Sequence, residues 1–276
     1  MRMVASAKLH RTQRLSQNFL RYSDELRQVV EALRPGTARA DSTPLQGILP
    51  GQAVAVVPIS SNSGLCGAFN ANVMKATETL LARCQHEGIH TYLFPVGQKV
   101  ADYLRKRNEP NLNRQYVKLA DAPDMFARTS QLVADLRQRH ADGEISQAIL
   151  LYHHFQSMGR QILTTQVLPL AMQSPTTDDT DTPSRKIRLE EIDYLTEPAP
   201  PVLADMLHPR MLNAQTYSIL LDALTSEHAA RMLAMQTADD NANELLQELT
   251  LLYNKTRQQA ITAELIDIMG GQVKSN

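Results

Sequence analysis

Residues 211–269, MLNAQTYSILLDALTSEHAARMLAMQTADDNANELLQELTLLYNKTRQQAITAELIDIM, contain neither glycine nor proline. Pro209 precedes this stretch, and Gly270 and Gly271 follow it. As one helix the stretch would be about 88 Å long, whereas an average helix of a globular protein has about 12 residues. The stretch therefore predicts a rod-like helix that ends at the glycine pair.

Apolar residues recur along this stretch in alternating steps of four and three residues, beginning at Tyr217 and including Leu245, Leu249 and Leu252. A sustained repeat of 3.5 residues keeps one side of a helix against a partner when the two helices supercoil left-handedly. The spacing favours such a seam, and we expect the three leucines to pack against the partner helix. A core helix of a helical bundle is the alternative interpretation.

The N-terminal residues 1–34 offer the partner helix, because they also lack glycine and proline. Their apolar residues follow the same alternating steps: Leu15, Phe19, Tyr22, Leu26, Val29 and Leu33. The first 23 residues contain no acidic side chain but several basic ones: Arg2, Lys8, Arg11, Arg14 and Arg21. These charges form either an ordinary solvated face or a surface for an acidic partner.

The middle of the chain alternates short β-branched or apolar runs with helical patterns, which is typical of an α/β unit. The predicted strands are residues 53–57, 90–96, 148–155, 162–170 and 186–195, and the predicted helices are 70–87, 98–107 and 123–140. The run AVAVV at 53–57 suits a strand that is covered on both faces, as in a parallel sheet. We therefore divide the chain into residues 1–34, 52–196 and 205–269.

Composition excludes several classes of protein. The chain of 276 residues has 28 Lys and Arg against 29 Asp and Glu, so a strongly basic nucleic-acid binder is not expected. Cys66 and Cys84 are the only cysteines, which rules out a disulfide framework and makes a reducing compartment the default. No run of about 18 apolar residues is present to span a bilayer.

One segment resembles a site for chemistry. SNSGLCGAFN, residues 61–70, lies between a predicted strand and a predicted helix, where dinucleotide-binding folds place their phosphate loop. Gly64 and Gly67 give the spacing GxxG rather than GxGxxG, and no lysine of the P-loop type follows. Adjacent His153 and His154 on a strand point to opposite faces and make a poor metal site. We expect no catalytic group, metal or cofactor, and a buried structural role for Cys66.

Four segments resemble the gamma subunit of the rotary F-type ATP synthases. These are GLCGAFN (64–70), MVASAKL (3–9), PRMLNAQTYSILLDAL (209–224) and the run from LTSEHAAR to ITAEL (224–265). The resemblance covers nearly the whole chain. It implies an α/β fold class: a long antiparallel coiled coil of the terminal helices plus a small Rossmann-like domain with a mainly parallel five-stranded sheet.

The resemblance also implies a function. A gamma subunit is a non-catalytic rotor shaft, present once per complex, that couples ion-driven rotation of the membrane c-ring to ATP synthesis or hydrolysis in the alpha-beta hexamer. Its implied partners are the alpha, beta and epsilon subunits and the c-ring, with no nucleic acid and no cofactor. The implied location is peripheral, on the cytoplasmic face of a bacterial inner membrane or, alternatively, the matrix side of the mitochondrial one.

Site residues carry over by motif. The resemblance assigns contacts with the beta subunit to residues near the end of the long helix and on the basic N-terminal face: Arg257, Gln258, Thr262, Glu264, Lys8 and Arg11. It makes Gly64, Leu65, Cys66 and Gly67 a structural turn. The family has further helical turns before the segment that starts at Met1. Either the start is assigned too late or the chain is truncated, and in the second case the region around Arg257 is expected to stand as a single exposed helix. A small nucleotide-binding α/β enzyme and a coiled-coil tether that dimerises through its terminal helices are the alternatives.

Overall fold

The computed structural model describes residues 2–33, 45, 48–158, 160–168, 170 and 196–273. Five helices and four strands are present in these ranges: α1 Arg2–Leu33, β1 Ala53–Pro58, α2 Phe69–His86, β2 His90–Leu93, α3 Gln98–Lys106, α4 Met125–Ala141, β3 Gln147–Ser157, β4 Arg160–Leu168 and α5 Pro200–Val273. A 3-10 turn, Leu119–Asp121, precedes α4. The strand predicted at 186–195 lies outside the described residues.

The long helix α5 is one element, about 110 Å in length. It starts before the predicted stretch and contains Pro209, whose lost hydrogen bond is offset by buried neighbours such as Met211 and Leu212. The expectation that Gly270 and Gly271 end the helix is wrong, since α5 continues to Val273. A glycine within a helix costs only about 1 kcal/mol relative to alanine, so it weakens a helix without having to end it.

The helices α1 and α5 form an antiparallel pair. Arg2 forms an ion pair with Asp239 at 3.2 Å, and the rings of Phe19 and Tyr217 lie 4.7 Å apart further along. The positions that α1 turns inward repeat in steps of four and three: Ala5, Leu9, Thr12, Ser16, Phe19, Ser23, Leu26 and Val30. The 3.5-residue repeat of α1 is therefore present.

The inward positions of α1 in the structure differ from the predicted seam by one residue at every second position. Leu15, Tyr22 and Val29 are 48%, 50% and 37% exposed, while their neighbours Ser16 and Val30 are buried. The two phases share Phe19 and Leu26, so the repeat alone does not decide between them. At two of the positions that differ, the observed seam contains the small side chains of Ser16 and Ser23, where the predicted seam has Leu15 and Tyr22.

The outer segment of α5, residues 240–266, projects past the helix pair. Leu245, Leu249 and Leu252 are more than half exposed, so the expectation that they pack against the first helix is wrong. The reason is geometric: Arg2, at the start of α1, already lies opposite Asp239. From Asp239 to the end of α5 is about 51 Å.

The sheet has the order β2-β1-β3-β4 in the described residues. β1 is parallel to both β2 and β3, whereas β4 is antiparallel to β3, so the prediction of a mainly parallel sheet is confirmed. Alternate side chains of β1 point to opposite faces. Val54 and Val56 pack in one core with residues of α2 and α3, and Ala55 and Val57 pack in another with residues of α4 and α5.

Candidate functional site

The turn that resembles a phosphate loop is tied together by its own hydrogen bonds. The Ser61 N–H donates to Asn70 Oδ1 at 3.0 Å, and Asn70 Nδ2 donates to the Ser61 hydroxyl oxygen at 2.8 Å. The Ser61 hydroxyl in turn donates to the carbonyl of Ser63 at 2.5 Å. Cys66 is buried and lies 3.1 Å from Asn70 Nδ2. Gly67 has a φ of 57°, which a glycine adopts without strain.

A cluster of polar and charged side chains from α5 and the loop after β1 holds this turn against the long helix. We call it the Glu227 cluster, and it consists of Ser63, Glu227, His228 and Arg231. Arg231 Nη1 donates to Glu227 Oε1 at 2.7 Å, and Arg231 Nη2 donates to the Ser63 hydroxyl at 3.0 Å. Glu227 is only 8% exposed. The cluster therefore joins the loop after β1 to the long helix through a charged side chain.

Burial dominates the electrostatics of the cluster. It raises the pKa of Glu227, and the charge and hydrogen bond of Arg231 oppose that rise. It lowers the pKa of His228 to about 4, a shift to which the nearby positive charges of Arg231 and Lys8 add. His228 is therefore neutral at pH 7, because protonation would place another positive charge beside Arg231 and Lys8 in a buried site.

The two adjacent histidines of β3 take different positions. His153 is 2% exposed, stacks on Phe69 with ring centroids 4.4 Å apart, and has a pKa lowered to about 4 by burial. His154 turns to the other face, where Nδ1 lies 2.6 Å from Asp222 Oδ2. In the described part of the chain, no three His, Cys, Asp or Glu side chains are grouped as metal ligands would be.

Comparisons with known proteins identify the family. The sequence model described as ATP synthase matches residues 1–273. An ATP synthase gamma chain of Parabacteroides distasonis is 39% identical over 277 residues, covering 100% of this chain and 92% of the relative. This chain belongs to the ATP synthase gamma-chain family. A gamma chain of Bacteroides fragilis is 40% identical and covers 99% of this chain and 92% of its own length.

Solved structures of mitochondrial ATP synthases contain chains with this fold. The central stalk and c-ring structure of Tetrahymena thermophila mitochondrial ATP synthase contains a chain with a TM-score of 0.57 and 20% identity, covering 87% of this chain and 97% of that one. A Euglena gracilis mitochondrial ATP synthase structure of OSCP, F1 and c-ring contains a chain with a TM-score of 0.54 and 20% identity, covering 99% of this chain and 93% of that one. At this identity the likeness shows the fold.

The residues assigned to partner binding fall into two places on this gamma-family chain. Arg257, Gln258, Thr262 and Glu264 are all exposed on the outer segment of α5. Lys8 and Arg11 are exposed on α1, and Lys8 is close enough to influence the pKa values in the Glu227 cluster. Lys8 lies near Glu227, and Glu227 is about 45 Å along α5 from Arg257. The residues on α1 and those on the outer segment of α5 therefore do not form one surface. Thr262 uses its hydroxyl to bond the carbonyl of Gln258 at 2.8 Å.

Two contacts of the Glu227 cluster were not predicted from the sequence, namely the buried ion pair and the hydrogen bond to Ser63. Glu227 and Arg231 stand four residues apart on a helix, a spacing that permits an ion pair. Such pairs are usually solvated, and nothing in the local sequence marks this one as buried. The contact with Ser63 is 168 residues away in the chain and depends on the fold.

No helix in the described ranges combines the length and the apolar character that crossing a bilayer requires.

Proposed function

We propose that this chain is the central rotor shaft of an ATP synthase, coupling ion-driven rotation of the c-ring to ATP synthesis or hydrolysis in the alpha-beta hexamer. The observation that carries the proposal is the shape found in a chain of the gamma family. A sheet domain packs alongside an antiparallel helix pair, with contacts to α5 that run from Met211 to Ala234, and about 51 Å of single helix projects from the end of the pair at Arg2.

The helix pair suits the transmission of torque. We propose that it is a coiled coil, supported by the alternating steps of four and three residues along the inward side of α1. Each buried apolar side chain such as Leu9 contributes roughly 1.5–3 kcal/mol to keeping the helices together. The outer segment of α5 lacks such a partner within the described residues, and we propose that the hexamer surrounds it.

The sheet domain forms the foot of the proposed rotor. We propose that residues 52–196 bind epsilon and rest on the c-ring, while residues 1–34 and 205–269 form the shaft, with one copy in each complex. The relatives are bacterial, which supports a peripheral position on the cytoplasmic face of a bacterial inner membrane. The Tetrahymena structure includes the central stalk and the c-ring, and the Euglena structure includes F1 and the c-ring, which supports a contact with the c-ring here.

We propose that the chain itself is not catalytic and binds no cofactor, the catalytic sites being those of the hexamer. The turn at 61–70 supports this, because Ser61, Ser63 and Asn70 bond one another. An enzyme built on this turn is therefore less favoured. A tether that dimerises through its terminal helices is less favoured too, since α1 already pairs with α5 of the same chain.

Co-expression of this chain with the alpha and beta subunits of the same genome tests the proposal. We expect size-exclusion chromatography with mass analysis to show one copy of the chain in a large complex that hydrolyses ATP. If the chain elutes alone, the experiment is repeated with the additional N-terminal helical turns typical of the family. Failure of the longer form to assemble would overturn the rotor function.

The exposed tip residues provide a sharper prediction. The double variant Arg257→Ala/Gln258→Ala is expected to lower the ATPase rate of the assembled complex by about tenfold, roughly the effect of losing one charge-assisted hydrogen bond. The melting temperature of the isolated chain should not change, because both side chains are exposed. Lys75→Gln, an exposed change on α2 of the sheet domain and away from the outer segment, serves as the control. An unaltered ATPase rate would remove Arg257 and Gln258 from the interface.

A further inference from the structure

The strand β3 has an edge that no other strand covers along its second half. β1 pairs with β3 only as far as Pro58 opposite Leu151, whereas β4 accompanies β3 to Ser157 on the other side. Successive residues of a strand direct their backbone N–H and C=O groups to alternate edges. Leu151 uses its carbonyl on the β1 edge, where it accepts from the Ile59 N–H at 2.8 Å. His153 and Phe155 therefore direct their backbone groups to the same edge, beyond the end of β1.

Two side chains of α5 occupy this open edge. The Ser226 hydroxyl donates to the carbonyl of His153 at 2.8 Å, and the Phe155 N–H donates to Asp222 Oδ1 at 3.1 Å. Asp222 and Ser226 are four residues apart and lie on one face of the helix. They provide the acceptor and the donor that a neighbouring strand would otherwise provide.

A third contact closes the arrangement. The second carboxylate oxygen of Asp222 lies 2.6 Å from Nδ1 of His154, whose side chain is 48% exposed while that of Asp222 is 16% exposed. Burial raises the pKa of Asp222, and the hydrogen bonds from His154 and Phe155 oppose the rise. We name the set of Asp222 and Ser226 with residues 153–155 the α5–β3 clamp.

We propose that Asp222 is a positioning residue that fixes the β3–β4 hairpin at one height and one rotation on the shaft, so that torque passes between the foot and α5. The proposal rests on the rotor function proposed above. Apolar contacts between the sheet and α5, such as those of Leu150 and Leu220, are non-directional. Hydrogen bonds from Asp222 and Ser226 to defined backbone atoms are directional, and they oppose sliding or rolling of the helix across the strand.

The test measures proton pumping and ATP hydrolysis in the same reconstituted holoenzyme. We expect the double variant Asp222→Ala/Ser226→Ala to assemble and to hydrolyse ATP at nearly the wild-type rate. The protons pumped for each ATP should fall by about threefold or more, because the joint that carries the load has lost its directional bonds. Asp222→Asn, which keeps an oxygen acceptor for the Phe155 N–H, should retain a larger share of the pumping.

A second measurement observes the clamp without reference to function. Hydrogen exchange of the Phe155 amide in the isolated full chain should accelerate by roughly tenfold in Asp222→Ala, since its acceptor is gone. Asp124→Asn, which removes half of an exposed ion pair with Arg128 on α4, is the matched control and should alter neither measurement.

The outcomes separate the inference from the rotor proposal. Normal pumping per ATP in the double variant, or unchanged exchange at Phe155, would overturn the clamp. A wild-type complex that assembles but does not pump would instead overturn the rotor function. If the double variant fails to assemble, the pumping ratio of the single variant Asp222→Ala, which lacks the acceptor for the Phe155 N–H, decides: a ratio below wild type supports the clamp, and an unaltered ratio overturns it.

Discussion

Replacing Arg231 with methionine is expected to lower the free energy of unfolding of the chain by about 3–5 kcal/mol, because the change leaves a buried carboxylate without its cation. Glu227 is 8% exposed, and Arg231 Nη1 lies 2.7 Å from its Oε1. Methionine fills similar space but provides neither charge nor donors. Urea unfolding at pH 7, with the variant and wild type measured side by side, gives the difference.

The double variant Glu227→Gln/Arg231→Met separates charge burial from packing. It should recover most of the loss, because the unpaired charge is gone. Arg128→Met provides the matched control, since it breaks an ion pair of the same i, i+4 type with Asp124 that is exposed on both sides. Its cost should stay below about 1 kcal/mol. If Arg231→Met and Arg128→Met lower the free energy of unfolding equally, the buried ion pair of the Glu227 cluster stabilises the chain no more than an exposed pair does.

The pH dependence of Arg231→Met has a defined sign. Burial already raises the pKa of Glu227, and removing Arg231 removes the main influence that lowers it. A carboxyl whose pKa is higher in the folded state contributes stability that is complete below the unfolded value of 4.5 and is lost as the pH rises through the folded value. The deficit relative to wild type should therefore shrink as the pH falls towards 4.5. A deficit independent of pH would exclude Glu227 as its source.

The sequence predicted the helix pair because its signal is local and repeated. The absence of glycine and proline and the 3.5-residue repeat of apolar residues can be found in the sequence of α1 alone and of α5 alone. The phase of the α1 seam was predicted wrongly for a reason that lies outside α1. Val30 is buried in a core with Met211 and Leu212 of α5, whereas its neighbour Val29 is 37% exposed. These long-range contacts select between two sets of inward positions that the repeat leaves equivalent.

The two joints between the foot and the shaft could not be predicted from the sequence. Glu227 with Arg231, and Asp222 with Ser226, are pairs four residues apart on a helix whose sequence carries many polar residues. What distinguishes them is their hydrogen bonds to Ser63 and to β3, and those contacts span 168 and about 70 residues of chain. The family resemblance pointed instead to Arg257 at the exposed tip, because a motif shows which residues recur and not which are buried.

Acid is expected to destabilise this chain largely through two buried histidines, His153 and His228. Burial lowers the pKa of each to about 4, from an ordinary value of 6.5. The unfolded chain binds protons below pH 6.5 while the folded chain does not, so stability is lost as the pH falls from 6.5 to the folded value. The loss by pH 4 should reach about 2–3 kcal/mol for each histidine.

His153→Leu should remove one of these two contributions. His153 Nδ1 forms no hydrogen bond with any described residue, so leucine breaks no bond at that atom and keeps an apolar contact with Phe69. At pH 7 the free energy of unfolding of the variant should lie within about 1.5 kcal/mol of the wild-type value. Near pH 4.5 the variant should be the more stable of the two. His86→Gln, an exposed change on α2, should leave the pH profile as it is. If His153→Leu loses stability on acidification as steeply as wild type does, protonation of His153 does not drive the acid unfolding.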